Sequence, residues 1–553
     1  MFGNSETSGF ITVINKRKTM NLLRESWLPF RLRNDDQEWR SLVAITDPDV
    51  VDFALPRADF QGAAYQLVIG ILQTAFAPKD KKQWHQYYVQ SPTADELTPA
   101  FNRIEHAFEL TGDGPLFMQD HDPLSQQELS PISGLLIDAP GANGIKNNTD
   151  FFVKRGIGEV MSPAMAALAL FTLQINAPSG GSGHRVGLRG GGPLTTLVMP
   201  SDEQSSLWIK LWLNVINRNT WRYDDPNFHD GSVFPWLAHT IESRKKGSEI
   251  YPSTEGIHPL HLYWAMPRRI RLVIDNEPVK CLISGENSGQ CVRHYRTKNY
   301  GNNYVGNWDP HPFTPYKWNP KKPNEDHLSQ KGQPGGISYK NWDVMTLSSD
   351  DDGHICARVV DHYNDVAKRK WHEQPQLWVF GYDMDNMKPR NWYSAMMPLF
   401  NVEAESHDDM INATKELQAL ADNALYQTRS QIKAAWFEKP GDTKGDTSFI
   451  DFDFWQQTEA AFYLTVSYIA HNINQQQTAL SSEQAKYWRD TIQSVSEQLF
   501  NNYALGDLGD IRSIAKRMDA RGKLLGWLYG SKNIKAFNNE HNLIAAKDTK
   551  HAK

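Results

Sequence analysis

The residues with the means to do chemistry fall into three groups. His and Asp stand side by side at His121-Asp122, His229-Asp230 and His407-Asp408, a pairing found in metal-dependent phosphohydrolases and nucleases. Such a site needs further His and Asp ligands on neighbouring helices, and the helical stripes after residue 410 supply only His471 as an inward candidate. Cys281 and Cys291 could be read as zinc ligands, but nine residues separate them and no CxxC pair accompanies them. No nucleophile stands beside a recognisable base. The third group is NAPSGGSGHRVGLRGGGPLTTLV, Asn176 to Val198, which places seven glycines between Gly180 and Gly192. It lacks the closing Lys-Ser/Thr of a P-loop, and its glycines follow a helical run where a dinucleotide fold needs a strand. What remains is a loop whose bare backbone can lie against a phosphate or a groove, beside His184, Arg185 and Arg189. Gly183 is the position where an added side chain should act most clearly by exclusion.

The elements that must position this loop change character along the chain. Up to about residue 400, short apolar runs such as RIRLVIDNEPVKCLI and QLWVFGYDMDN alternate with Gly, Pro and Asn, interrupted by helical runs such as GAAYQLVIGILQTAF. Beyond it, apolar residues recur at helical spacing: Leu417, Leu420, Ala424, Ile432 and Trp436; Trp455, Phe462, Val466 and Ile469; Trp488, Ile492, Val495 and Leu499; Ile511, Ile514, Met518 and Leu525. EKPGDTKGD breaks the first pair of helices, and SSEQ at Ser481–Gln484 has the form of a capping box. The expected fold is therefore α+β: a large mixed domain with long loops over 20–400, then a four-helix bundle over 401–535. Residues 1–19 are expected to be a disordered extension and 536–553 a flexible tail.

With 553 residues, of which 40% are hydrophobic, the chain can bury a large core without disulfides. Three cysteines fit a reducing compartment, so the expected location is the cytoplasm. No apolar stretch is long enough to span a membrane. The net charge of −6 excludes a protein coated for nonspecific nucleic-acid binding. Yet Trp264–Tyr300 holds seven basic residues against three acidic ones, and Lys154–Gly192 holds four against Glu159 alone. Local basic stretches on an acidic chain suit one defined nucleic-acid segment.

Taken together, MNLLRESWLPF at Met20, LPRADFQGAAYQLVIGILQTAFAP at Leu55, GPLFMQD at Gly114, the glycine loop, WAMPRRIRL at Trp264, NWDPHPFTPY at Asn307 and FGYDMDNMKPRNWY at Phe380 resemble the CasA family, the large subunit of the type I-E CRISPR Cascade surveillance complex. The resemblance implies a protein with no catalytic residues, cofactor or metal. It would read the protospacer-adjacent motif (PAM) on double-stranded target DNA, promote strand separation, and present a surface to a helicase-nuclease. Its other partners would be the remaining Cascade subunits and their guide RNA, to which the rest of sequence reading is delegated.

Carried over residue by residue, the resemblance implies a first PAM-reading loop in FFVKRGIGE at Phe151, Phe152, Val153, Lys154 and Gly156, and a second at Gly180, Gly181, Gly183 and Arg185. It implies a basic finger at Lys298 with Arg296 close behind, and a strand-separating wedge at Met384, Asp385 and Asn386. Members with a glutamine at the wedge tip differ from this chain, where Asn386 is shorter. Cys281 and Cys291 would be remnants of the family's zinc site. The alternative left by the residues alone is a metal-dependent phosphohydrolase built on the His-Asp pairs.

Overall fold

The computed structural model describes residues 19–140, 146–147, 156–181, 183–366, 375–400, 402–442, 445–506 and 513–543. Near its start, β1 (Leu28–Leu32), β2 (Gln37–Arg40) and β3 (Val50–Phe53) form an antiparallel sheet in the order β2-β1-β3. Two helices then occupy the middle of the core. Helix α1 (Ala58–Phe76) is buried from Phe60 almost to its end, and α2 (Pro163–Asn176) is apolar all round, the pattern of a helix enclosed by protein. Ser162 caps α2 by accepting from Met165 N, and Pro163 occupies the first turn, where a missing N–H costs nothing.

The polar side chains these helices bury are matched to backbone groups. Gln73 pairs with both the N–H and the C=O of Ile216, at 2.7 and 2.9 Å. Gln174 does the same for Arg268, at 2.9 and 3.0 Å. That second pair fixes the end of α2 beside the strand that follows Arg268. Around the helices Trp208, Trp212, Trp236 and Trp264 are fully buried, each contributing roughly 1.5–3 kcal/mol or more through removal from water.

Two short strands, β4 (Leu129–Pro131) and β5 (Thr195–Met199), each edge a three-stranded antiparallel sheet. The first sheet adds β6 (Arg269–Asp275) and β7 (Cys291–Lys298) in the order β4-β7-β6. The second adds β8 (Gln376–Asp385) and β9 (Lys388–Pro398) in the order β9-β8-β5. Helix α1 lies close against this second sheet: a Cβ on Gly62 would stand 2.5 Å from the Phe380 ring, and Asp59 accepts from Tyr382 OH at 2.5 Å.

The C-terminal region is helical, as its spacing predicts: α3 (His407–Trp436), α4 (Ser448–Asn474), α5 (Ser482–Phe500), α6 (Ile514–Gly530) and the short α7 (Lys532–Glu540). The capping box at Ser481 forms, with Gln484 N donating to Ser481 Oγ and Ser481 N to Gln484 Oε1. The first three stripes are buried apart from the half-buried Trp436. The fourth stripe is corrected. Ile511 lies outside the described residues; in α6, from Ile514, Met518 is 49% exposed, and the buried line is Ala520, Leu524 and Leu528. The expected boundary at 535 falls inside α7, whose Ile534 and Phe537 are buried. The bundle also admits a residue from outside it. The Tyr339 ring stacks on Phe462 at 4.1 Å and meets Trp455 and Trp488 edge-on, while its hydroxyl is 2.8 Å from Thr458 Oγ1.

Candidate nucleic-acid interface

The glycine loop leaves the end of α2 and enters β5, so both of its ends are anchored in the core. Within it, Gly187 N and Gly192 N donate to Ala177 O and Asn176 O, at 2.8 and 3.2 Å. A turn is closed by Gly180 N to His184 O and His184 N to Gly181 O. These amides are therefore used internally. Gly181, Gly183, Gly190 and Gly192 all have φ between +62° and +81°, the left-handed region that excludes most side chains.

Beyond conformation, Gly183 and Gly192 are among the glycines of this loop that permit close approaches. At Gly183 an added Cβ would be 2.9 Å from Asn299 Cβ and 3.1 Å from Tyr300 Cε1, and Tyr300 N donates to Gly183 O at 2.7 Å. At Gly192 an added Cβ would collide with Met384 Cγ and stand 3.1 Å from Tyr382 O. One end of the loop thus rests on Asn299 and Tyr300, just past β7, the expected finger, and the other on the hairpin of β8 and β9, the expected wedge. The absent side chain at Gly183 makes room for Asn299 and Tyr300, just beyond the segment expected to form the finger. Gly181 is exposed, with nothing within 4 Å of an added Cβ.

The finger itself is β7, paired with β6 so that Lys298 lies opposite Arg269. Lys298 Nζ is 3.1 Å from Glu242 Oε1, and the same oxygen lies 3.2 Å from Arg269 Nη1. The Lys298 ammonium, as donor and as charge, holds the Glu242 carboxyl below its ordinary value. Arg296 donates to the carbonyls of Gln127 and Ser125, which ties it to the loop before β4. Arg185 donates from Nε to Ser243 Oγ at 2.7 Å and from Nη2 to Ser243 O at 2.5 Å. Both arginines use donors inside the protein. Arg189 is fully interior: it donates to Thr195, Thr314, Gln66 and the Ile175 carbonyl, and burial lowers its guanidinium to about 10.

The segment expected as the wedge is a hairpin in which Asp385 pairs with Lys388, leaving Asn386 and Met387 as the turn. Asn386 has φ +56°, a conformation Asn tolerates better than most residues. Met384 belongs to the stem and packs back on Gly192, while Asp385, Asn386 and the 45%-exposed Met387 project. Below the tip, Asp383 is buried and held by Arg390 at 2.6 and 3.1 Å.

Several functional candidates escaped the sequence reading. Met387 is the apolar residue at the tip, signalled by its place after Asn in a two-residue turn. Lys331 is exposed between the loop and the hairpin, where its Nζ would lie 3.1 Å from a Cβ on Gly190. Arg244, Lys245 and Lys246 are exposed beside the finger, signalled by the run SRKKG. Of the first predicted loop, Phe151, Phe152, Val153 and Lys154 lie outside the described residues; Gly156 is exposed, with φ +87°.

The residues of the alternative chemistry are not gathered. The His121 ring faces His239 and the His229 ring stacks on His106, each at 4.1 Å, while His407 opens α3 and His471 is exposed. All three cysteines are buried and free. Among the described residues the one cluster of three metal-ligating side chains is Glu416, Glu540 and His541, and it includes none of the pairs or cysteines.

The pattern of the family described as CRISPR-associated protein Cse1 matches residues 21–499. The chain belongs to the Cse1 family. Solved relatives share the fold across nearly the whole chain. Thermus thermophilus CasA (Cse1) is 16% identical with a TM-score of 0.63, covering 92% of this chain and 99% of its own. Thermobifida fusca Cse1 is 16% identical with a TM-score of 0.64, covering 92% and 98%. A chain of a CRISPR RNA-guided surveillance complex is 13% identical with a TM-score of 0.62, covering 92% and 100%. The Cse1 resemblance seen in the motifs thus extends over the α+β fold and into its helical C-terminal region. Among the described residues of this Cse1 chain, no helix is long and apolar enough to cross a membrane.

Proposed function

We propose that this Cse1-family chain is the non-catalytic large subunit of a type I-E Cascade complex in the cytoplasm. It reads the PAM on duplex DNA, starts strand separation and R-loop formation, and presents a surface to the helicase-nuclease. The observation that carries the reading is the contact of one glycine-rich loop with both the finger and the hairpin, through Gly183–Tyr300 and Gly192–Met384. A loop that inspects a groove while touching a cationic finger and a projecting tip can couple motif recognition to opening of the next base pair. Lys298 has the reach and charge for the acceptors and negative potential of a minor groove. The hairpin tip can insert where unstacking costs a few kcal/mol, to be offset by guide pairing. Family membership and likeness to a chain of an RNA-guided surveillance complex support assembly with other subunits and guide RNA.

The test is Lys298→Ala in the assembled complex, titrated against duplexes with and without the PAM. Selective loss on the PAM duplex is expected. Equal loss on both would make Lys298 a phosphate contact only.

A further inference from the structure

Beside the finger, a surface loop places three consecutive cations in solvent while its root is fixed from several sides. Ser243 is buried: its N–H donates to Tyr300 O at 3.1 Å, and its hydroxyl and carbonyl accept from Arg185. The next residue, Arg244, lies with its guanidinium 4.7 Å over the Tyr300 ring. Lys245 and Lys246 follow, both exposed, and Gly247 turns the chain back with φ +89° and open space around it. Among the described residues, Arg244, Lys245 and Lys246 form no ion pair. Glu242, the adjacent acid, is instead engaged by Lys298 and Arg269.

This arrangement differs from an ordinary solvated charged turn. Two exposed lysines, following an arginine stacked on Tyr300, are held on a chain of net charge −6 in fixed register to the finger and the glycine loop through one buried serine. Flexible lysines with no partner are suited to phosphates, which need charge more than fixed geometry. We propose that the Arg244–Lys246 loop is a second contact to the duplex, gripping the phosphate backbone alongside the segment the finger and glycine loop inspect. The inference rests on the duplex-reading function proposed above. The loop makes no base-specific contact; it supplies affinity and register.

The experiment compares wild-type complex with Lys245→Ala/Lys246→Ala, measuring affinity for PAM-containing and PAM-free duplexes from 50 to 200 mM salt. Each phosphate left without its lysine should make the slope of log K against log salt shallower by about 0.9, so the slope of the double variant should be shallower by close to ~1.8, with affinity falling on both duplexes by a similar factor. Lys245→Arg/Lys246→Arg should restore the slope, because phosphate binding requires only the charge. An unchanged slope, or a loss confined to the PAM duplex, would overturn the proposal. So would an unchanged duplex slope with impaired docking of the subunit onto the RNA-bound complex, which would mark guide RNA as the occupant. If wild type does not discriminate PAM from PAM-free duplex, the PAM-reading function fails, yet the slope change still decides whether this loop grips a duplex.

Discussion

Gly181→Ala and Gly183→Ala separate two uses of glycine within one loop. Both positions have left-handed φ, +81° and +80°, so each substitution carries a conformational cost of about 1 kcal/mol. At Gly181 nothing lies within 4 Å of the new Cβ, and the cost ends there. At Gly183 the Cβ would meet Asn299 Cβ at 2.9 Å and Tyr300 Cε1 at 3.1 Å, so the loop or the finger must move. Overpacking of that kind costs roughly 1–3 kcal/mol. The movement also strains the 2.7 Å bond from Tyr300 N to Gly183 O, worth about 1 kcal/mol. Gly183→Ala should therefore be destabilised by roughly 2–4 kcal/mol more than Gly181→Ala. Urea unfolding gives the difference, and native-state hydrogen exchange at the Tyr300 amide locates it. Equal losses in the two variants, or an unaltered Tyr300 amide in Gly183→Ala, would refute the view that Gly183 makes room for Asn299 and Tyr300.

Three further outcomes are expected. Glu242→Gln frees Lys298 from its carboxylate and should raise affinity for duplex DNA with or without the PAM, read by titration; unchanged affinity would mean the ion pair does not restrain the finger. Replacing Asp385, Asn386 and Met387 together by Gly should slow R-loop formation on intact duplex far more than on a pre-opened bubble, and equal slowing on both would remove the hairpin tip as the wedge. Burial holds His261 at about 4 and His362 at about 3, so both stay neutral in the fold while the unfolded chain takes up protons near the ordinary value. Stability should thus be constant above about pH 6.5 and fall as pH drops toward 4, by roughly 3 kcal/mol per histidine, measured by urea unfolding across that range. A flat profile would contradict it.

How much could be read from the sequence depended on whether a signal was local. The capping box at Ser481, the break at 438–446 and the stripes through Leu417, Phe462 and Trp488 are short-range patterns, and they hold. The last stripe is turned on its helix because Met518 falls on the exposed side of α6, which buries Ala520, Leu524 and Leu528. Charge counting placed Arg189 in the basic footprint, yet it lies in the core as a donor to side chains from distant segments. Of Met384, Asp385 and Asn386, expected as the wedge, only Asn386 lies in the two-residue turn, because register is set by pairing with β9 and the Asp385–Lys388 pair puts Met387 beside it. The joint contact of the glycine loop with finger and hairpin joins residues more than a hundred positions apart, for which no local pattern exists.

On the function proposed, this chain gives a complex its choice of duplex motif. The most direct measurement is selection from a library of target duplexes whose bases flanking the guide-matched segment are randomised, with complex assembled with and without this subunit. The account predicts a restricted set of flanking motifs enriched only when the subunit is present, and that enrichment lost with Lys298→Ala. Enrichment of the same motifs without the subunit, or no enrichment with it, would contradict the account.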